Sequence, residues 1–225
     1  MISVVGLGPA GLSSVSMHAH EALNKSRKVL IRTKHHPAVA ELSDRGVVFE
    51  TFDHIYETAT SFEEVYSRIA EDVLDEAARG DVVYAVPGHP LVGERSVELL
   101  IAKAAQRGVS LSIVPSPSFI DACLEVLRVG IDRGLKVLDA LEIERLTPSL
   151  DTPNLIYQVY DQQAASRVKL RLMEFFPDEL EVYVVRAAGS GEEEVTSVPL
   201  FKLDWREFDH LTSVYVPERI DEVEE

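Results

Sequence analysis

The chain has 225 residues, 46% of them hydrophobic and 27% charged, with a formal net charge of −16. That length supports one large or two small domains with real cores, and the composition is that of a globular protein rather than a disordered one. The acidity argues against a surface that tracks nucleic-acid phosphates, which needs clustered Lys and Arg, and it disfavours docking on an anionic membrane; no apolar run approaches the roughly 20 residues of a membrane span.

In chain order, Ile2 to Val5 reads as a short apolar strand ending in glycines. A helix is expected from about Ala10 to Leu23, then a strand over Lys28–Ile31 and a shorter one over Val47–Phe49. From Ser61 or Phe62 to Ala78 apolar residues recur at helical spacing, and Ser61 with Glu64 resembles a capping box. Gly80 ends that helix, and "VVYAV" follows, a wholly apolar strand of the kind buried on both faces. A helix from about Gly93 to Gln106 and the strand "VSLSIV" complete an alternation that implies a parallel sheet flanked by helices.

The second half differs. "SFIDACLEVL" is a helix, "KVLDAL" is extended, "NLIYQVY" is a strand and "AASRVKLRLMEFF" is an amphipathic helix ended by Pro177. "LEVYVVRAA", "EVTSVPLFKL" and "LTSVYV" are strands separated by turns, which implies a mixed sheet. The expected organisation is an N-terminal α/β subdomain over 1–117, a mixed α/β subdomain over 118–217 and an acidic tail or linker stub over 218–225. Cys123 is the single cysteine, read as a buried small hydrophobe, so no internal disulfide or Cys-based metal site is available. No signal peptide is read ahead of the first strand, so a cytoplasmic location is expected.

Three loops at strand ends carry the chemical information: "GLGPAG" after the first strand, "PGHPLVG" at 87–93 and "VPSPSF" at 114–119. In an open parallel sheet, ligands sit beyond the carboxyl ends of the strands. The first loop fits the dinucleotide pattern G-x-G-x-x-G through Gly6, Gly8 and Gly11, which raises an FAD or NAD(P) oxidoreductase. However, the second strand ends Ile31-Arg32-Thr33-Lys34, without the acidic residue that takes the ribose hydroxyls; Arg32 and Lys34 leave room for the 2′-phosphate of NADP instead.

Other polar groups read mostly as surface or structural residues. His35-His36 is a solvated turn before Pro37, lacking a third metal ligand at useful spacing. His18 and His20 lie on different faces of a helix, Arg167, Lys169 and Arg171 form no single stripe, and Glu192–Glu194 is a solvated run. No metal is expected, and no Ser–His–Asp or Cys–His arrangement supports a hydrolase.

Taken together, "VVGLGPAGL", "DVVYAVPGHPLVGE", "VPSPSFIDA", "LIYQVYDQQAASRVKLRLMEFFPDELEV", "VVRAAGS" and "DHLTSVYVP" resemble the tetrapyrrole (corrin/porphyrin) methylase family, most closely the methylase-like N-terminal part of bacterial YabN/MazG-type proteins. The resemblance covers about residues 1–217. It implies two α/β subdomains with S-adenosyl-L-methionine in the interdomain cleft, a small-molecule methyl acceptor that is tetrapyrrole-like or smaller, and a homodimer. It also implies fusion to a nucleoside-triphosphate pyrophosphohydrolase domain of MazG type.

Carried over residue by residue, the resemblance implies cofactor binding at Pro9, Pro87, Gly88, His89, Val92, Ser118, Phe119, Val159, Ala188 and Gly189. His89, Tyr160 and Asp161 are the candidates for handling a substrate or its proton. His89 is also read as a loop residue hydrogen-bonded to backbone. Two departures stand out: Ala10-Gly11 replaces Gly-Asp in the first loop, and His89 replaces an aspartate in the second. They motivate an alternative reading, a catalytically silent regulatory or scaffolding module that keeps the fold.

Overall fold

The computed structural model describes residues 1–218 and divides into two compact units, Met1–Phe119 and Ile120–Glu225. The last residues of the expected acidic tail, 219–225, lie outside the described part.

The first unit is built on β1 (Ile2–Gly6), α1 (Met17–Lys25), β2 (Val29–Ile31), α2 (Pro37–Asp44), β3 (Glu50–Thr51), α3 (Asp53–Thr58), α4 (Phe62–Ala77), β4 (Val82–Val86), α5 (Arg95–Gln106) and β5 (Leu111–Val114). The strands form one parallel sheet in the order β3-β2-β4-β1-β5, with Ile2 beside Val82 and Leu111. Both faces are covered, and side chains alternate between two cores because successive strand residues point to opposite faces. Val4, Leu30, Val82, Tyr84 and Val86 pack with α3, α4 and α5, whereas Val5, Val29, Ile31, Val83 and Ala85 pack with α1 and α2. All five residues of β4 are buried, as an apolar run without polar alternation requires.

This arrangement creates a switch point. β1 and β2 lead into helices on one face, β4 leads into α5 on the other, and β4 lies between β1 and β2. The carboxyl end of β4 is therefore where loops part to opposite sides, the place at which sheets of this type bind ligands.

Several expected boundaries shift for local reasons. The first helix begins at Met17, not Ala10, because Ser14 draws the preceding segment into a 3-10 turn over Leu12–Ser14. Its Oγ accepts from Ala10 N–H (3.2 Å) and donates to the Gly11 carbonyl (2.7 Å). The strand expected at Val47–Phe49 is absent, and β3 forms at Glu50–Thr51. Val47 N–H instead donates to the Leu42 carbonyl (3.1 Å) and closes the end of α2, a helix that the sequence reading missed. Ser61 caps α4 as expected, accepting from Glu64 N–H (3.2 Å), but the Glu64 carboxylate returns to Thr60, one residue earlier than a standard capping box places it.

The second unit contains most of α6 (Phe119–Leu127), with β6 (Lys136–Asp139), β7 (Asn154–Tyr157), α7 (Gln162–Met173), β8 (Glu181–Arg186), β9 (Glu194–Pro199) and β10 (Thr212–Val216). Its sheet runs β6-β7-β10-β8-β9; only the β6–β7 pairing is parallel, so it is the mixed sheet that the turn-rich sequence implies. After Pro199, "LFKL" does not continue β9 but winds into a 3-10 segment over Leu200–Trp205, which places Leu200 and Leu203 in the core beneath α7. Lys169 and Arg171 are not free surface cations. Lys169 and Ser166 both donate to Asp204 Oδ2 (2.7 and 2.6 Å), and Arg171 stacks on Phe175 while donating to the Leu146 carbonyl (3.1 Å).

Candidate functional site

The three loops singled out from the sequence meet at one rim of the first unit. Gly8 and Gly88 exchange both backbone hydrogen bonds, Gly8 N–H to the Gly88 carbonyl at 3.1 Å and the reverse at 2.8 Å. The third loop joins through Ser116, whose buried Oγ donates to the Gly6 carbonyl (2.7 Å) and accepts from Ser16 N–H (3.0 Å). Ser16 in turn donates to the Pro115 carbonyl at 2.6 Å and caps α1. The approach is so close that a Cβ on Gly6 would lie 2.5 Å from the Gly88 oxygen and 2.9 Å from the Ser116 nitrogen.

His36 completes this rim and corrects the solvated-turn reading. Only His35 is exposed; His36 Nε2 donates to the Gly8 carbonyl at 3.0 Å. Burial pushes the imidazole down to about 4, against the pull of that hydrogen bond, and nearby Arg32 lowers it further. The ring is therefore neutral near pH 7, and its buried Nδ1 is an acceptor with no partner among the described residues.

Gly11 stands where the resemblance calls for an acidic residue. Glu41 of α2 fills that space: its Oε1 accepts from Leu12 N–H at 3.0 Å and occupies the position of any Cβ on residue 11. The first loop thus has a carboxylate beside it, delivered from a different element. No local sequence signal could have revealed this, because α2 itself was not read.

Arg32 and Lys34 both have neighbours within the first unit. Arg32 turns toward the α3–α5 face, with Nη1 3.5 Å from Glu94 Oε1, and the segment carrying Lys34 is tied down by Asp53, which accepts from Thr33 Oγ1 (2.7 Å) and Lys34 N–H (2.8 Å). Glu94 is buried, and burial raises its carboxyl to about 7 against the opposing effects of Arg32 and Ser96. Sequence reasoning passed over this residue.

The remaining expected residues fall in two places. Pro9, Pro87, Gly88, His89, Val92, Ser118 and Phe119 lie on the three loops or directly beyond them. His89 Nδ1 accepts from Leu91 N–H (3.1 Å), the backbone-bonded role read as its alternative, and Val92 N–H closes a turn on the His89 carbonyl (3.0 Å). In the second unit, Val159 and the Ala188–Gly189 bend flank the start of β10, where Val159 N–H donates to the Thr212 carbonyl (3.3 Å) and Ala187 N–H to the Leu211 carbonyl (3.1 Å). The adjoining Gln158 and Ala187 both hold positive φ, at 60° and 51°. The Val159 side chain is wholly inside the core, so only its backbone is available. Asp161 caps α7 by accepting from Ala164 N–H (2.6 Å), which engages one oxygen of that candidate, while Tyr160 is exposed.

Two hollows lie away from the expected cofactor residues. One of about 430 Å³ in the second unit is lined by Arg186, Arg206, Asp209 and Glu194, and one of about 500 Å³ lies at the amino ends of the first unit's strands beside Met1 and Asp81. Among the described residues no group of three or more His, Cys, Asp or Glu is arranged to hold a metal, and no helix is long and apolar enough to cross a membrane.

The fold matches solved methyltransferases. The methyltransferase CobJ superposes with a TM-score of 0.77 at 21% identity, covering 96% of this chain and 93% of that one. Uroporphyrin-III C-methyltransferase from Thermus thermophilus, complexed with S-adenosylhomocysteine, gives 0.73 at 18% identity with 97% of each chain covered. Diphthine synthase gives 0.72 at 18% identity, over 96% and 89%. The uncharacterized protein YabN of Bacillus subtilis (strain 168) is 42% identical over 217 residues, 96% of this chain, which spans 44% of that relative's length. The family model of the tetrapyrrole (corrin/porphyrin) methylases matches residues 1–204, and the chain belongs to that family.

Proposed function

We propose that this protein binds S-adenosyl-L-methionine at the loop rim of the first unit and transfers its methyl group to a small-molecule acceptor. The observation that carries the reading is the joining of three glycine- and proline-rich loops by backbone and Ser116 hydrogen bonds beside the switch point. The residues suit such a ligand. The rim is largely backbone, and His36 Nδ1 offers a buried acceptor beside it for a hydroxyl or amino donor. The bound cofactor supplies an electrophilic methyl group, and the chain's task is alignment, which needs little acid–base chemistry. Pro9, Pro87, Gly88, His89, Val92, Ser118 and Phe119 are assigned to the cofactor, with backbone groups at Val159, Ala188 and Gly189 as a second set.

Calorimetry with S-adenosylhomocysteine tests the reading: saturable binding that Gly6→Ala weakens supports it, and a folded protein that takes up none at millimolar ligand overturns it. The engaged state of His89 and one oxygen of Asp161 favours a second reading, a silent module that binds cofactor without turnover. Methyl transfer to any acceptor would exclude that module. We further propose that the full protein is a cytoplasmic homodimer carrying a nucleotide pyrophosphohydrolase domain. Light scattering and release of pyrophosphate by the longer protein check those two points.

A further inference from the structure

Above the α3–α5 core, at the carboxyl ends of β2 and β4, Arg32 and Glu94 form a buried but loosely matched pair. Their one close contact is 3.5 Å, longer than a good charge-assisted hydrogen bond. Arg32 Nε and Glu94 Oε2 are both buried with no partner among the described residues, although buried polar atoms are almost always satisfied. The Glu94 side chain is 5% exposed, whereas the Arg32 side chain keeps 22% of its surface open, so Arg32 is the more open member of the pair. Around them stand Tyr56 of α3, Tyr66 of α4, Tyr84 of β4 and Ser96 of α5, with Tyr84 Oη and Ser96 Oγ 2.8 Å apart.

We propose that Arg32 is a receptor for an anionic group, a carboxylate or phosphate carried by a small molecule, and that Glu94 is the internal counter-ion this group displaces by taking up a proton. A guanidinium presents several N–H donors in a fixed fork, and here one donor is unpaired and another holds its partner only loosely. When the ligand anion pairs with Arg32, a bound proton on Glu94 prevents two negative charges from sharing one buried cation. The balance is one anion and one proton in, with no covalent bond changed at either side chain apart from the new carboxyl O–H.

The other groups facing the pair hold their charge states between pH 6 and 8. Burial raises Tyr56 to about 12 and pushes Tyr66 and Tyr84 upward as well, Arg32 stays charged, and His36 is neutral. Burial places the Glu94 carboxyl within that window. The site needs no cofactor, so it stands or falls separately from methyl transfer.

The experiment titrates the full-length chain with sodium acetate and, separately, sodium sulfate, neither of which changes charge between pH 6 and 8. Binding is followed through the Arg32 Nε–H resonance and through proton uptake. The expected result is saturable binding that weakens about tenfold from pH 6 to pH 8, with proton uptake that vanishes in Glu94→Gln. That variant binds at pH 8 at least as tightly as the wild type does at pH 6, and Arg32→Lys weakens binding at least tenfold. Should Glu94→Gln not fold, the wild-type pH profile and Arg32→Lys decide the matter. Binding of acetate alone assigns a carboxylate and binding of sulfate alone a phosphate-type ligand; each supports the receptor. No saturable response to either anion, or a response in the wild type without proton uptake, overturns it.

Discussion

At Gly6 a single missing carbon permits the rim. Any side chain there meets the Gly88 carbonyl and the Ser116 amide, both backbone groups that cannot swing aside. Gly6→Ala is expected to cost about 2 kcal/mol, typical of overpacking, and to weaken S-adenosylhomocysteine binding; urea denaturation and calorimetry measure the two effects. Glu94 gives a pH-dependent prediction. Its folded-state value, about 7, lies above the ordinary 4.5, so the folded protein holds a proton that the unfolded chain releases. Stability from this group is present below pH 4.5 and falls as pH rises to about 7, by about 3 kcal/mol in total, at 1.36 kcal/mol per pH unit. The difference between wild type and Glu94→Gln, measured by urea denaturation from pH 4.5 to 8, isolates that slope. A flat difference would contradict it.

At the scale of elements, the second unit stores strain where two strands end. Gln158 and Ala187 hold left-handed backbone conformations that cost a residue with a side chain about 1 kcal/mol more than glycine. Ala187→Gly is expected to stabilise the protein by up to about 1 kcal/mol in thermal unfolding, a gain that few substitutions to glycine deliver. The N-terminus of α4 offers the opposite case: Ser61→Ala removes its cap and should cost about 1 kcal/mol.

These two places also show what the sequence could reveal. Strong periodic patterns such as α4 and β4 announced themselves, and so did the three loops, because glycine and proline mark turns by backbone geometry alone. Hidden from view were α2, whose N-cap is a histidine without a capping bond, and the end of β9, where apolar "PLFKL" fits a strand as well as a 3-10 turn. Glu94 and Glu41 escaped notice, and the His36 ring was misread, for a common reason. Each acts through a partner far along the chain, and spacing cannot show which distant residues a fold brings together.

For the whole molecule, the cores of the two units share no residue, and each sheet is complete within its own unit. Cys123 reports on the second of these. Burial raises its thiol to about 11, only partly offset by Ser213, so little thiolate exists at pH 8. Reaction with a thiol reagent at that pH should proceed at the rate of unfolding, falling when ligands stabilise the protein; rapid labelling of the folded chain would show the sulfur to be accessible. Salt should raise the melting temperature, because screening eases the self-repulsion of a net charge of −16.

The reciprocal hydrogen bonds between Gly8 and Gly88 bear on how the molecule is made. The first loop's backbone partners lie 80 residues further along the chain, and Ser116, which anchors Gly6, later still. A nascent chain cannot finish the turn beyond β1 until the segments carrying Gly88 and Ser116 have been synthesised. The rim therefore closes only after both later loops are in place, the one beyond β4 and the one that carries Ser116.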